Sequence, residues 1–198
     1  MTSFIKRALA ATAATAMVAT AAHAAPFDAI DRATDAPLTT YEKVYIAPVE
    51  VDLSEHRIRR NLRDRRGVRP VSESDQARKA EDLSEDLERA FGKKFTLVDA
   101  PGDDVLTVEA TLTKLVSTRP TIADSRINIG LSFNSLYVGG ADYRINLTEG
   151  ETLLATIEER QSQDSNLNDG HPRVGIWSDA DYSFHKFSRQ LVRYVQNN

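Results

Sequence analysis

There is no cysteine among the 198 residues, which excludes a disulfide and a thiolate zinc site and closes the bacterial lipoprotein route, where a cysteine is acylated at the cleavage point. A long apolar run is also missing. The most hydrophobic stretch, Ala8 to Ala22, is diluted by Ala and Thr and falls short of the ~20 strongly apolar residues that span a bilayer. Nor does any segment pair a nucleophile with a base or cradle a phosphate with glycines. An excess of positive charge is lacking too: 25 basic against 29 acidic side chains leave a net charge of -4, which argues against general nucleic-acid affinity.

What is present begins with MTSFIKRALAATAATAMVATAAHAAPF. Lys6 and Arg7 precede an alanine-rich stretch that closes on Ala22-His23-Ala24, small residues at the two positions a signal peptidase tests. Residues 1–24 are therefore expected to be an export signal, cleaved after Ala24, and the product to be periplasmic or secreted. Residues 25–40, APFDAIDRATDAPLTT, show no apolar periodicity and are expected to form a flexible N-terminal arm. Residues 41–198 remain as one domain that has to be stable through its core alone.

Within that domain YEKVYIAPVEV alternates as a first strand until Pro48, whose missing N–H confines it to a strand end or edge. From Ser72 the period changes to that of a helix, with Ala80, Leu83, Leu87, Ala90 and Phe91 on one stripe and Ser72 and Asp75 as a capping box. FTLVD is a short strand, and VLTVEATLTKLV alternates Leu106, Val108, Ala110 and Leu112 against threonines and Glu109. INIGLSF, residues 127–133, alternates more weakly. GADYRINL and ETLLATIEER read as a hairpin turning at Thr148-Glu149-Gly150, and WSDADYSFHKFSRQLVRYVQNN is a second amphipathic helix with Ser178 and Asp181 as its cap. This order predicts an α+β fold: a single domain with a curved, mostly antiparallel sheet and two helices packed on one face.

Four stretches in series, YEKVYIAPVEV, VDAPGDDVLTVEATLTKLVSTRPT, GGADYRINLTEGETLLATIEER and IWSDADYSFHKFSRQL, cover most of residues 41–195 and resemble DUF3313, a family of bacterial envelope proteins whose function is not known. The resemblance implies an envelope compartment and a sheet carrying helices on one face. It transfers no catalytic residue. Many members resemble outer-membrane lipoproteins; this chain departs from them by lacking cysteine, and its hairpin carries Tyr143, Arg144 and Asn146 where acidic residues are expected.

The most conspicuous local feature is HRIRRNLRDRRGVRP. Arg57, Arg59, Arg60, Arg63, Arg65, Arg66 and Arg69 outnumber Glu55 and Asp64. Such a segment could contact a polyanion, an anionic lipid surface or a partner, but no aromatic residue is interleaved to stack on bases. The alternative is neutralisation within the molecule, because the following helix carries Glu81, Glu85 and Glu88 with Asp82 and Asp86 beside them. That internal pairing is the favoured reading. Ser183-Phe184-His185-Lys186 matches the S-x-x-K pattern of penicillin-recognising serine enzymes, without the S-D-N and K-T-G elements they need. Of His56, His171 and His185, it is His171 that lies on a loop with Asp169 and with Asp164 not far away, an arrangement that could hold a metal or support hydrolysis. Trp177 is expected to pack against the last helix rather than to stand exposed.

These features point to a non-enzymatic binding domain with no cofactor, whose partner is another envelope protein. Two alternatives are carried with it: a peripheral binder of anionic lipid or lipopolysaccharide through residues 57–69, and a hydrolase or metal-binding protein using the 164–171 loop. The oligomeric state is not legible.

Overall fold

The computed structural model describes residues 27–54, 71–118, 139–160 and 174–198. Seven strands, β1 (Ala29–Arg32), β2 (Lys43–Ile46), β3 (Glu50–Val51), β4 (Thr96–Leu97), β5 (Val105–Val116), β6 (Gly140–Glu149) and β7 (Thr152–Arg160), form one open sheet in the order β1-β7-β6-β5-β2-β4, with β3 also on β5. From β1 to β5 every pairing is antiparallel; β2, β3 and β4 join in parallel. Two helices, α1 (Glu73–Phe91) and α2 (Ser178–Asn197), pack on each other and on one face of the sheet. The expected α+β architecture is thus observed, as a mixed sheet. Among the described residues no helix is long and apolar enough to cross a membrane.

Alternation places the core. Leu106, Val108, Ala110 and Leu112 of β5 and Ala141, Tyr143, Ile145 and Leu147 of β6 are all buried on the helix side. Two bulges then keep apolar residues inward where strict alternation would turn them out. The β5–β6 register shifts between Leu112 and Lys114, so Thr113 is the extra residue and Leu115 regains the core face. The β6–β7 register shifts opposite Leu154, so Leu154 and Ala155 are both buried. Gly150, at φ +54, makes a two-residue turn with Glu151; the first strand of the hairpin runs two residues further than the sequence pattern indicates and the second starts one residue later.

The helices close the core with the stripes expected of them. Leu83, Leu87, Ala90 and Phe91 of α1 and Ala180, Phe184, Phe187, Leu191 and Val195 of α2 are buried. The Ser72 hydroxyl accepts the Asp75 N–H at 3.1 Å, as the capping box predicts. At α2 the prediction is corrected. The Ser178 hydroxyl bonds back to Gly175, and the cap is supplied across the fold: Asp179 N–H donates to the Thr118 hydroxyl, at the end of β5, at 2.9 Å.

A second correction concerns the N-terminal arm. Residues 29–32 form β1 on β7, and Leu38 is fully buried. Phe27 sits in the core, edge-on to Phe187 at 5.6 Å and to Tyr194 at 5.8 Å. A lone Phe in a polar stretch has no periodic signature, so its burial could not be read locally. Because this ring fills space between the sheet and α2, Phe27→Ala is expected to destabilise the domain by about 3 kcal/mol. Urea unfolding followed by tryptophan fluorescence measures this, and an unchanged midpoint would return the segment to a tether.

Candidate functional site

Every long connection springs from the same end of the sheet. β3 ends beside Leu112 of β5, whose carbonyl accepts the Asp52 N–H at 2.9 Å, so the chain leaves Ser54 near the C-terminal end of β5. It returns into α1, whose buried Lys79 reaches Asp181 in the first turn of α2 at 2.6 Å. Thr118 and Gly139, which flank residues 119–138, meet at this end as well; Arg160 ends β7 here opposite Asp142, and Val174 lies two residues before Ile176, whose carbonyl accepts the Thr118 N–H. The chain also enters here, at Phe27 and Asp28.

A hydrogen-bonded collar fixes these exits. Thr118 N–H donates to the Ile176 carbonyl at 2.7 Å, and the buried Asp179 carboxylate accepts the Gly139 N–H at 2.8 Å. Glycine is required at 139, since a Cβ there would lie 2.7 Å from the Thr118 hydroxyl and 2.8 Å from its backbone nitrogen. On the β7 side Asp28 accepts the Arg160 N–H at 2.6 Å. Lys114 on β5 faces Asp142 on β6 at 3.4 Å. Burial pushes the Glu159 carboxyl up, and the nearby charge of Asp28 adds to the effect. At the exposed Asp52 the shift is opposite, because the Ser54 hydroxyl and N–H hold its carboxylate down.

The far end of the sheet is built differently. Its connections are short, and Glu149 staples them: one carboxylate oxygen accepts the Tyr41 hydroxyl at 2.8 Å, the other the Asp104 N–H at 3.2 Å. Burial and Glu149 push the Tyr41 phenol up to about 12. An open depression of about 620 Å³ lies there, lined by Tyr41, Glu42, Lys93, Lys94, Thr96 and Gln196; no sequence motif announces it.

The seven arginines at 57–69, together with His56, Asp164, Asp169 and His171, fall outside the described residues, as do residues 1–24 and INIGLSF. What the structure supplies is their anchorage: the connections that carry the arginines and the 164–171 loop are both rooted in the collar. Ser183 and Lys186 are not brought together as a catalytic pair. Ser183 shares a hydrogen bond with the buried Tyr143 hydroxyl, whereas Lys186 is exposed. His185 Nδ1 lies 3.8 Å from the Asp86 carboxylate, across the helix pair. Trp177 is buried, as expected. Of the divergent hairpin residues, Tyr143 is buried in the core, and the other two make cross-strand pairs on the open face, Arg144 with Glu158 at 3.3 Å and Asn146 with Thr156 at 3.1 Å. Among the described residues no group of three or more histidines and carboxylates converges as a metal site.

Because burial raises the Glu159 pKa in the folded state, the folded protein takes up that proton more readily than the unfolded chain. The linked stability is present at low pH and is lost as pH rises through the folded value. Glu159→Gln is therefore expected to be at least as stable as the parent at about pH 7, with the difference shrinking toward about pH 4. Thermal melts across that range measure it; a variant less stable at neutral pH would mean that Glu159 is stabilised as an anion.

A family model described as "Protein of unknown function (DUF3313)" matches residues 19–191. Among solved structures, a dodecamer of a PelC variant from Paraburkholderia phytofirmans is a distant neighbour, 9% identical with a TM-score of 0.38, covering 82% of this chain and 95% of that one. No curated protein matches the chain.

Proposed function

The chain belongs to the DUF3313 family, and on that footing we propose that it is an exported, non-enzymatic binding domain that engages another envelope protein through the collar end of its sheet. The observation that carries this reading is the asymmetry of the two ends. One is closed by short turns stapled to Glu149; the other roots three connections of 16, 20 and 13 residues (55–70, 119–138 and 161–173) in a rigid hydrogen-bonded frame. Long loops on a rigid base are where binding residues concentrate, because loop sequence can vary without cost to the core. The leader-like N-terminus supports export to the periplasm.

Photo-crosslinking in intact cells tests the reading by position. Probes at the exposed Ser54 and Val174, beside the collar, are expected to capture the same envelope protein, while probes at Leu97 and Glu151, at the other end, capture none. Equal capture from both ends, or turnover of a cell-wall or lipid substrate by the purified protein, would overturn it.

A second reading rests on charge. The described residues carry 24 acidic against 13 basic side chains, a net of -11, whereas residues 55–70 carry seven arginines against Glu55 and Asp64, a net of +5. A cationic segment tethered to an anionic body suits the surface of anionic lipid or lipopolysaccharide. Vesicles containing phosphatidylglycerol should then bind the protein, more weakly as salt rises, and lose it when Arg59, Arg63, Arg65 and Arg66 become Ala. Binding indifferent to salt eliminates this reading.

A further inference from the structure

The outer surface of the helix layer carries two ridges of opposite charge, side by side and level with each other. On α1 the exposed residues Glu81, Glu85 and Glu88 fall on one line at helical spacing. On α2 the exposed residues Lys186, Arg189 and Arg193 do the same. The acidic residues nearest α2 are already engaged: Asp82 with Lys79, and Asp86 with Arg89. The ridges are not, apart from Glu85, which lies 3.7 Å from Arg89. Glu81, Glu88, Lys186, Arg189 and Arg193 form no ion pair or side-chain hydrogen bond among the described residues.

The helices run parallel and in step. Lys79 meets Asp181 near their starts, Asp86 meets His185 further on, and Lys93, Lys94 and Gln196 line one depression at their ends. Counting from the first contact, Glu85 lies six residues beyond Lys79 and Lys186 five beyond Asp181; Glu88 lies nine beyond and Arg189 eight. At about 1.5 Å per residue each acid is level with a base to within about one residue's rise by this contact, and to within about two by the contact of Asp86 with His185.

A surface of this kind is complementary to itself. Rotation of a second copy by half a turn, about an axis lying parallel to the helices and just above them, sets its α1 over α2 of the first and its α2 over α1. Heights along the helices are unchanged by that rotation, so Glu85 and Glu88 of each copy face Lys186 and Arg189 of the other. A half turn about an axis across the helices would instead lay like charge on like, which opposes it. We infer that the helix layer is a docking surface for a second copy of this chain, forming a two-fold pair with α1 of each copy on α2 of the other. Exposed ion pairs are individually weak and screened by salt, so the association is weak and salt-dependent. The competing occupant of the acidic ridge is the arginine-rich segment of the same chain, which would leave the protein monomeric.

Sedimentation equilibrium of protein produced with its own N-terminus, at up to about 0.5 mM, separates the two. A dimer is expected at about 20 mM salt and a monomer at about 1 M, where screening length falls to about 3 Å. Reversing either ridge, Glu81→Lys with Glu85→Lys and Glu88→Lys, or Lys186→Glu with Arg189→Glu and Arg193→Glu, should abolish the dimer. An equimolar mixture of the two reversed proteins should restore it, since each then offers the other uniformly opposite ridges. All six positions are exposed, and far-UV circular dichroism checks that the variants fold; glutamine at the same positions serves where a reversal does not. A monomer at low salt, a dimer that survives both reversals, or a mixture that stays monomeric overturns the inference.

Discussion

The Lys79 ammonium, nearly inaccessible to water between the two helices, sets the frame on which the other features are placed. A charge in such a position is tolerable only when paired, and it is paired twice, to Asp82 on its own helix and to Asp181 on the other. Asp82 and Asp181 are themselves 40% and 52% exposed, so it is the burial of the ammonium that makes the pairing necessary. Since Lys79 and Asp181 both lie near the starts of their helices, the bond holds α1 and α2 parallel and level. An offset of one turn would separate the pair and move Asp179 away from Thr118 and Gly139, so the register of the helices and the integrity of the collar are one constraint.

Apolar burial supplies the driving force that this ion pair only directs. Without covalent cross-links, one face of the sheet and two helix stripes have to exclude water between them. Tyr143 lies at the centre, stacked on Phe187 at 4.4 Å and edge-on to Phe184, with its hydroxyl satisfied by Ser183. An unsatisfied phenol there would be expensive, which is why a polar Ser183 sits on the inner flank of an otherwise apolar helix. The same position explains why the serine-lysine pattern has no catalytic geometry: its hydroxyl is directed at the core.

What was legible in the sequence was what repeats with a period. Both helices, β5 and the hairpin follow from residues spaced by two or by three and four, and their faces were assigned correctly because burial of one face is what creates the pattern. What was missed depends on partners distant in sequence. Phe27 is held by Phe187 and Tyr194, more than 150 residues away. The α2 cap comes from Thr118 rather than from Ser178 three residues ahead of Asp181, and the parallel pairing of β2 with β5 crosses the whole of α1. The bulges at Thr113 and Leu154 break alternation within the pairing, and nothing in local composition marks them. For the candidate site, sequence identified the unusual connection at 57–69 but not that it shares a root with the other two long ones. That convergence is a property of topology.

The topology also bears on why the arginines occur where they do. Strands β2 and β3 run toward the collar and α1 runs away from it, so the link between them has to turn at that end; strands β5 and β7 finish there as well. The collar is itself rich in carboxylates, with Asp28, Asp52, Asp142, Glu159, Asp179 and Asp181 around it, while among the described residues Lys79 pairs with Asp181 and Lys114 with Asp142. A neutral link would leave that charge uncompensated by its own chain, whereas a link of net charge +5 joined at both ends to the described body offers opposite charge at high effective concentration. On the reading proposed above, neutralising the anionic body and presenting cations to a partner would draw on the same groups, so an anionic partner would compete with the protein's own carboxylates for them. Competition of that kind weakens non-specific binding and favours a partner that also recognises the shape of the frame.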